Sequence, residues 1–129
     1  MILYRGTPVP ETKVEKRSYL GVYFTNKLMV ALEFAAGEGS THGNSGFVQK
    51  YEIVRPRLFN FEGSEAERTV EFAEPDKKFV DSLIDAGYIG MRNREDVLLF
   101  DTSGVRLVER FSVRYDEADD KFEYKPIPR

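Results

Sequence analysis

The chain contains no cysteine and a single histidine, so disulfides, thiolate metal sites and a Cys/His catalytic set are excluded. Chemistry has to come from carboxylates, hydroxyls, guanidinium groups or a bound cofactor. Three short stretches set such groups at the ends of apolar segments. In Leu3-Tyr4-Arg5-Gly6-Thr7 an arginine follows a short apolar run and precedes a glycine. A guanidinium there can reach into a cleft and hold a diphosphate through a charge-assisted fork, and Gly6 lets a ligand approach the backbone closely. The same residues also fit a surface arginine before a turn. The second stretch, Gly21 to Ala35, carries Tyr23 and, eleven residues on, Phe34. Their rings can stack on the two faces of a flat heteroaromatic group, or can serve as core. Thr25 is either a ligand contact or a helix N-cap. In the third stretch Glu95 stands at the mouth of the apolar run Val97-Leu98-Leu99-Phe100. A carboxylate held at a sheet edge can accept a hydrogen bond from a sugar hydroxyl and stabilise positive charge at the neighbouring anomeric carbon. Its plain alternative is that Glu95 and Asp96 solubilise a turn.

The elements that would position these groups are read from periodicity and punctuation. Ile2 to Tyr4 predicts a first strand, stopped by Pro8 and Pro10. Glu11 to Tyr19 reads as a charged loop. Leu20 to Phe24 predicts a second strand, and Lys27 to Ala36 a helix whose Leu28, Ala31, Leu32 and Ala35 share one face. The segment 37–46, with four glycines and the lone His42, reads as a mobile loop that could act as a lid. Phe47 to Val54 alternates as a strand, and Leu58 to Phe61 is a short one. Helices are predicted over Ser64 to Phe72, for its acidic first turn, and over Asp76 to Ala86, closed by Gly87. Tyr88 to Met91 and Val97 to Phe100 read as strands joined by the tight charged turn Arg92-Asn93-Arg94-Glu95-Asp96. Asp101 to Gly104 is a further turn. Val105 to Tyr115 is a long half-exposed strand, followed by an extended piece bearing Phe122 and Tyr124, with Pro126 and Pro128 blocking further pairing.

Strands interspersed with two or three helices predict an α+β domain built on two packed, mostly antiparallel β-sheets. At 129 residues the chain is one domain, 1–129, able to bury a core without staples. A formal charge of -3, from 19 basic and 22 acidic residues mixed along the chain, gives no broad footprint for nucleic acid. No apolar run is long enough to span a bilayer and the N-terminus lacks a secretory layout, so the expected location is the cytoplasm, with no membrane partner.

Taken in order, the three stretches resemble the NAD-binding core of the ADP-ribosyltransferase superfamily, over residues 2 to about 101. Leu-Tyr-Arg5-Gly6-Thr is similar to its first motif in the arginine form. Gly-Val-Tyr23-Phe-Thr25 followed by Ala-Leu-Glu-Phe34-Ala is similar to the tyrosine motif of the poly(ADP-ribose) polymerase and diphtheria-toxin-like branch. Glu95-Asp-Val-Leu-Leu-Phe-Asp, preceded by Gly87-Tyr-Ile-Gly, resembles the third motif, which carries the catalytic glutamate. The set mixes two branches. Asn93, two residues before the glutamate, falls where the resemblance implies target recognition, and lacks the extra carboxylate that accompanies arginine-directed transfer.

The resemblance implies NAD as co-substrate, with no metal. Arg5 would hold its diphosphate or a ribose, Gly6 the nicotinamide carboxamide, Tyr23 and Phe34 the nicotinamide ring. Glu95, braced by Thr25, would bind the ribose 2'-hydroxyl and stabilise the oxocarbenium-like transition state. The implied activity is mono-ADP-ribosyl transfer to a macromolecule, expected to be a protein, with a nucleic acid or small molecule as other acceptors, in the manner of a phage effector or toxin. NAD glycohydrolysis, or a non-catalytic nucleotide- or protein-binding module on the same fold, are the alternatives.

Overall fold

A computed structural model describes residues 1–10, 20–37 and 43–128. The loop expected over Glu11 to Tyr19, and residues 38–42 of the glycine-rich segment, His42 among them, lie outside the described residues. Strand β1 is Ile2–Thr7 and β2 Val22–Thr25, followed by helix α1, Leu28–Ala36. Then come β3 (Ser45–Glu52), β4 (Leu58–Asn60), a 3-10 turn at Glu65–Arg68, and α2 (Lys77–Asp85). Strands β5 (Gly90–Arg92), β6 (Asp96–Leu99), β7 (Arg106–Asp116) and β8 (Lys121–Ile127) complete the order. The fold is α+β, mostly antiparallel, with β4 and β5 the one parallel pair among the described strands.

All eight described strands belong to one hydrogen-bonded sheet in the order β4-β5-β6-β2-β1-β3-β7-β8. The expected two packed sheets are a single sheet. The two halves are continuous, yet β1 and β2 join through one residue pair, Tyr4 with Thr25. Across that narrow joint the sheet bends. The rings of Phe24 on β2 and Tyr51 on β3 meet edge to face with centroids 5.6 Å apart, although β1 lies between their strands. In a flat sheet, strands on either side of a third would set their backbones about 10 Å apart, and neither helix contributes to the core that these two rings join. The halves therefore face each other over a shared core of Leu3, Val22, Phe24, Tyr51, Ile53, Val97 and Leu99.

Alternation along the strands sends the intervening residues to the outer faces, and each is covered by a helix. Ala31, Leu32, Ala35 and Ala36 of α1 pack on Val48 and Val113. Val80 and Leu83 of α2 pack on Met91, Leu98 and Phe100. Helix α1 lies unusually close to the sheet because Gly6 and Gly46 leave room for it. A Cβ on Gly6 would meet Ala35 N at 2.8 Å and the Ala31 carbonyl closer still, and one on Gly46 would meet the Ala35 carbonyl carbon at 2.9 Å.

Local signals explain most boundaries. Asp76 caps α2, its Oδ1 accepting from Phe79 N at 2.8 Å. At the other end Gly87 (φ 91°) closes a Schellman turn in which Tyr88 N donates to Leu83 O and Gly87 N to Ile84 O. The helix expected over Ser64 to Phe72 shrinks to one 3-10 turn, because the Ser64 hydroxyl donates back to Phe61 O instead of capping and Glu67 accepts from Gly63 N. Pro126 does not end the last strand. It pairs opposite Phe111 within β8, an edge strand where a missing N–H costs the sheet nothing.

Candidate active site

The single-pair joint between β1 and β2 leaves a gap as the strands diverge. Arg5 bridges it, its Nη1 donating to the Tyr23 carbonyl at 2.7 Å while the guanidinium lies 5.7 Å from the centroid of the Phe24 ring. A side-chain donor thus stands where a ladder N–H would otherwise be. Beside this bridge lies a cavity of about 400 Å³, walled by β1, β2, the exposed side of α1 and the segment at Phe72 and Ala73. Its lining includes Arg5, Gly6, Tyr23, Thr25, Phe34 and Asp96. Phe24, Thr25 and Ala31 are buried at its floor, whereas Phe34, Ala73 and Asp96 are exposed at its rim. Phe34 is 59% exposed, a large aromatic left open to solvent at the mouth of a cavity.

Tyr23 is fixed by its own hydroxyl, which lies 2.9 Å from Phe72 O and 2.7 Å from Ala73 O. Its ring meets Phe72 edge to face at 6.1 Å. Burial, reinforced by the charges of Glu74 and Asp96, pushes the phenol up to about 12, so the hydroxyl remains a donor. Thr25 uses its hydroxyl on both neighbours: it donates to Glu95 O at 3.0 Å and accepts from Lys27 N at 3.2 Å. Asn26 N also donates to Glu95 O, at 2.8 Å. The β5–β6 turn is thereby clamped to the end of β2. Thr25 braces Glu95 through the backbone carbonyl. Helix α1 has Lys27 at its N-cap, so Thr25 sits two residues ahead of the cap position.

Of the candidates named from sequence, Arg5, Gly6, Tyr23, Thr25 and Phe34 come together on one cavity wall. Glu95 and Asn93 lie in the adjoining turn, both half-buried, with Asn93 N donating to Asp96 O at 2.9 Å. Neither is among the residues lining the cavity; the carboxylate that does line it is Asp96. Asp96 starts β6 directly opposite Thr25, and partial desolvation followed by the Glu95 charge holds its carboxyl above the usual range. Sequence reading also missed Tyr4, Phe72 and Ala73. Tyr4 was legible as the strand partner of Arg5; nothing local marks Phe72, which follows a failed helix.

Among the described residues no group of three His, Cys, Asp or Glu side chains could hold a metal ion, and no helix is long and apolar enough to cross a membrane. Comparison with protein-family models, curated proteins and solved structures gave no match.

Proposed function

We propose that this chain transfers ADP-ribose from NAD to a macromolecular acceptor, with release of nicotinamide, on an ADP-ribosyltransferase-like arrangement of the bent sheet. The observation that carries this reading is the convergence of Arg5, Gly6, Tyr23, Thr25 and Phe34 on one cavity. They come from the strand, strand and helix in which the resemblance to that superfamily places its NAD contacts. A cavity of about 400 Å³ lies in the range of small-molecule sites, and it suits the nicotinamide–ribose end of the dinucleotide better than the whole. Aromatic walls from Tyr23 and Phe34 would take the flat ring, and the Arg5 guanidinium would take a phosphate or ribose oxygen.

The chemical step is the loss of neutral nicotinamide from the ribose, which leaves positive charge at the anomeric carbon. Glu95, whose backbone carbonyl accepts from both the Thr25 hydroxyl and Asn26 N, sits on the turn adjoining the cavity, and its carboxylate would stabilise that charge. A protein acceptor in the cytoplasm is the favoured target class.

Binding is tested by thermal unfolding with and without NAD. At 100 times its dissociation constant a ligand that binds the folded state adds about 2.7 kcal/mol. The wild type should show a corresponding rise in Tm, and Phe34→Ala, which removes one aromatic wall at an exposed position, should lose most of that rise while keeping its ligand-free Tm. An NAD-independent Tm for the wild type would contradict the reading.

A further inference from the structure

We propose that Asp96 is a second catalytic carboxylate, the base that takes the proton from the acceptor's attacking atom. The inference rests on the NAD reading above and concerns the half of the reaction that reading leaves open. Asp96 is the carboxylate on the cavity wall. It opens β6 in register with Thr25 on β2, so its backbone is fixed by the sheet. It is also exposed at the rim, as Phe34 and Ala73 are, whereas the floor is closed by Phe24, Thr25 and Ala31. A macromolecular acceptor can reach a cavity only from its rim.

The side chain of Asp96 makes no hydrogen bond or ion pair among the described residues, although lysines and arginines elsewhere on the surface pair with carboxylates. Partial burial, and then the Glu95 carboxylate next to it in sequence, raises its proton affinity. An unpaired acid set beside a like charge at a cavity mouth is a poor device for stability and a suitable one for accepting a proton.

The step balances as follows. The acceptor atom, bearing a hydrogen, forms a bond to the anomeric carbon. The bond from that carbon to the nicotinamide nitrogen breaks, and its electron pair leaves with nicotinamide. The acceptor's proton passes to the Asp96 carboxylate and from there to solvent. This assigns an acceptor class: a hydroxyl or a nitrogen that carries a proton. A carboxylate acceptor has no proton to lose and would meet the charges of Asp96 and Glu95.

The test uses NAD labelled in the adenylate half, with bacterial lysate as the acceptor source, and compares wild type, Asp96→Asn and Asp96→Glu. General-base contributions are typically 10² to 10⁴-fold, so Asp96→Asn should transfer label at least about 10²-fold more slowly while its NAD-induced thermal shift matches wild type. Asp96→Glu should recover part of the loss. Mapping of the labelled peptides should place the modification on oxygen or nitrogen that bore a proton. Transfer by Asp96→Asn within about threefold of wild type would overturn the proposal and leave the NAD reading standing. Loss of the thermal shift in Asp96→Asn would overturn it in favour of a role in holding NAD, and labels mapped to Asp or Glu side chains would overturn the acceptor class. A wild type that neither releases nicotinamide nor transfers label would remove the reading beneath it.

Discussion

The hydroxyl of Tyr23 has one proton and two carbonyl oxygens within reach, those of Phe72 and Ala73. It ties β2 to the segment that walls the cavity, a structural duty that the ring's place on the lining does not reveal. Because its folded-state value is raised from 10.0 to about 12, the unfolded chain ionises first. The contribution of Tyr23 is whole below about pH 10 and is lost as pH rises towards 12. Urea unfolding of wild type and Tyr23→Phe across that window should show the wild type losing its advantage with rising pH; a pH-independent difference would contradict the assignment. Asp96 behaves in a parallel way at the acid end. Its carboxyl is raised, so the protonated form favours the folded state, and that contribution fades as pH climbs past the folded value. At neutral pH Asp96→Asn should therefore melt no lower than wild type, a stability cost that the native residue bears at the cavity rim. Sequence reading reached Tyr23 and the acidic pair through their neighbours, and it gave the catalytic role to Glu95. Adjacent residues at the mouth of a strand differ in direction, and only the register of Asp96 against Thr25 decides which carboxylate lines the wall.

At the scale of elements, the decisive contact is α1 on β1 and β3. Gly6 was read as room for a ligand, and the room directly above it is taken by the helix: an added Cβ meets Ala35 N at 2.8 Å. Gly6→Ala should destabilise the domain by about 3 kcal/mol, the upper end for overpacking, since the atoms it meets are backbone and cannot rotate away. Gly43→Ala, whose added Cβ meets nothing within 4 Å, is the control, costing only the strain of its positive φ. Chemical denaturation of both variants checks this, and equal losses would show that close packing at Gly6 is unimportant. The helices themselves were legible where caps and periodicity agreed. Asp76 and Gly87 bound α2 as their types predict. Ser64 misled because its hydroxyl turned back to Phe61 O, and the acidic residues after it found only one 3-10 turn to support.

For the whole molecule, the strands were visible as runs, but their sheet order was not. Alternation shows which faces are buried and says nothing of partners. The joint at Tyr4 and Thr25, which makes one sheet of two halves and opens the cavity beside it, depends on pairing between segments far apart in sequence. That joint explains why residues from β1, β2, α1 and the segment after the 3-10 turn share one site. The reaction proposed for this site is the cleavage of NAD. It is tested most directly by following free nicotinamide from NAD with purified wild type and Glu95→Gln. Steady release by the wild type is expected, with a fall of about 10² to 10³-fold in the variant and both proteins unfolding at similar temperatures. Release at equal rates from the two, or none from the wild type, would contradict it.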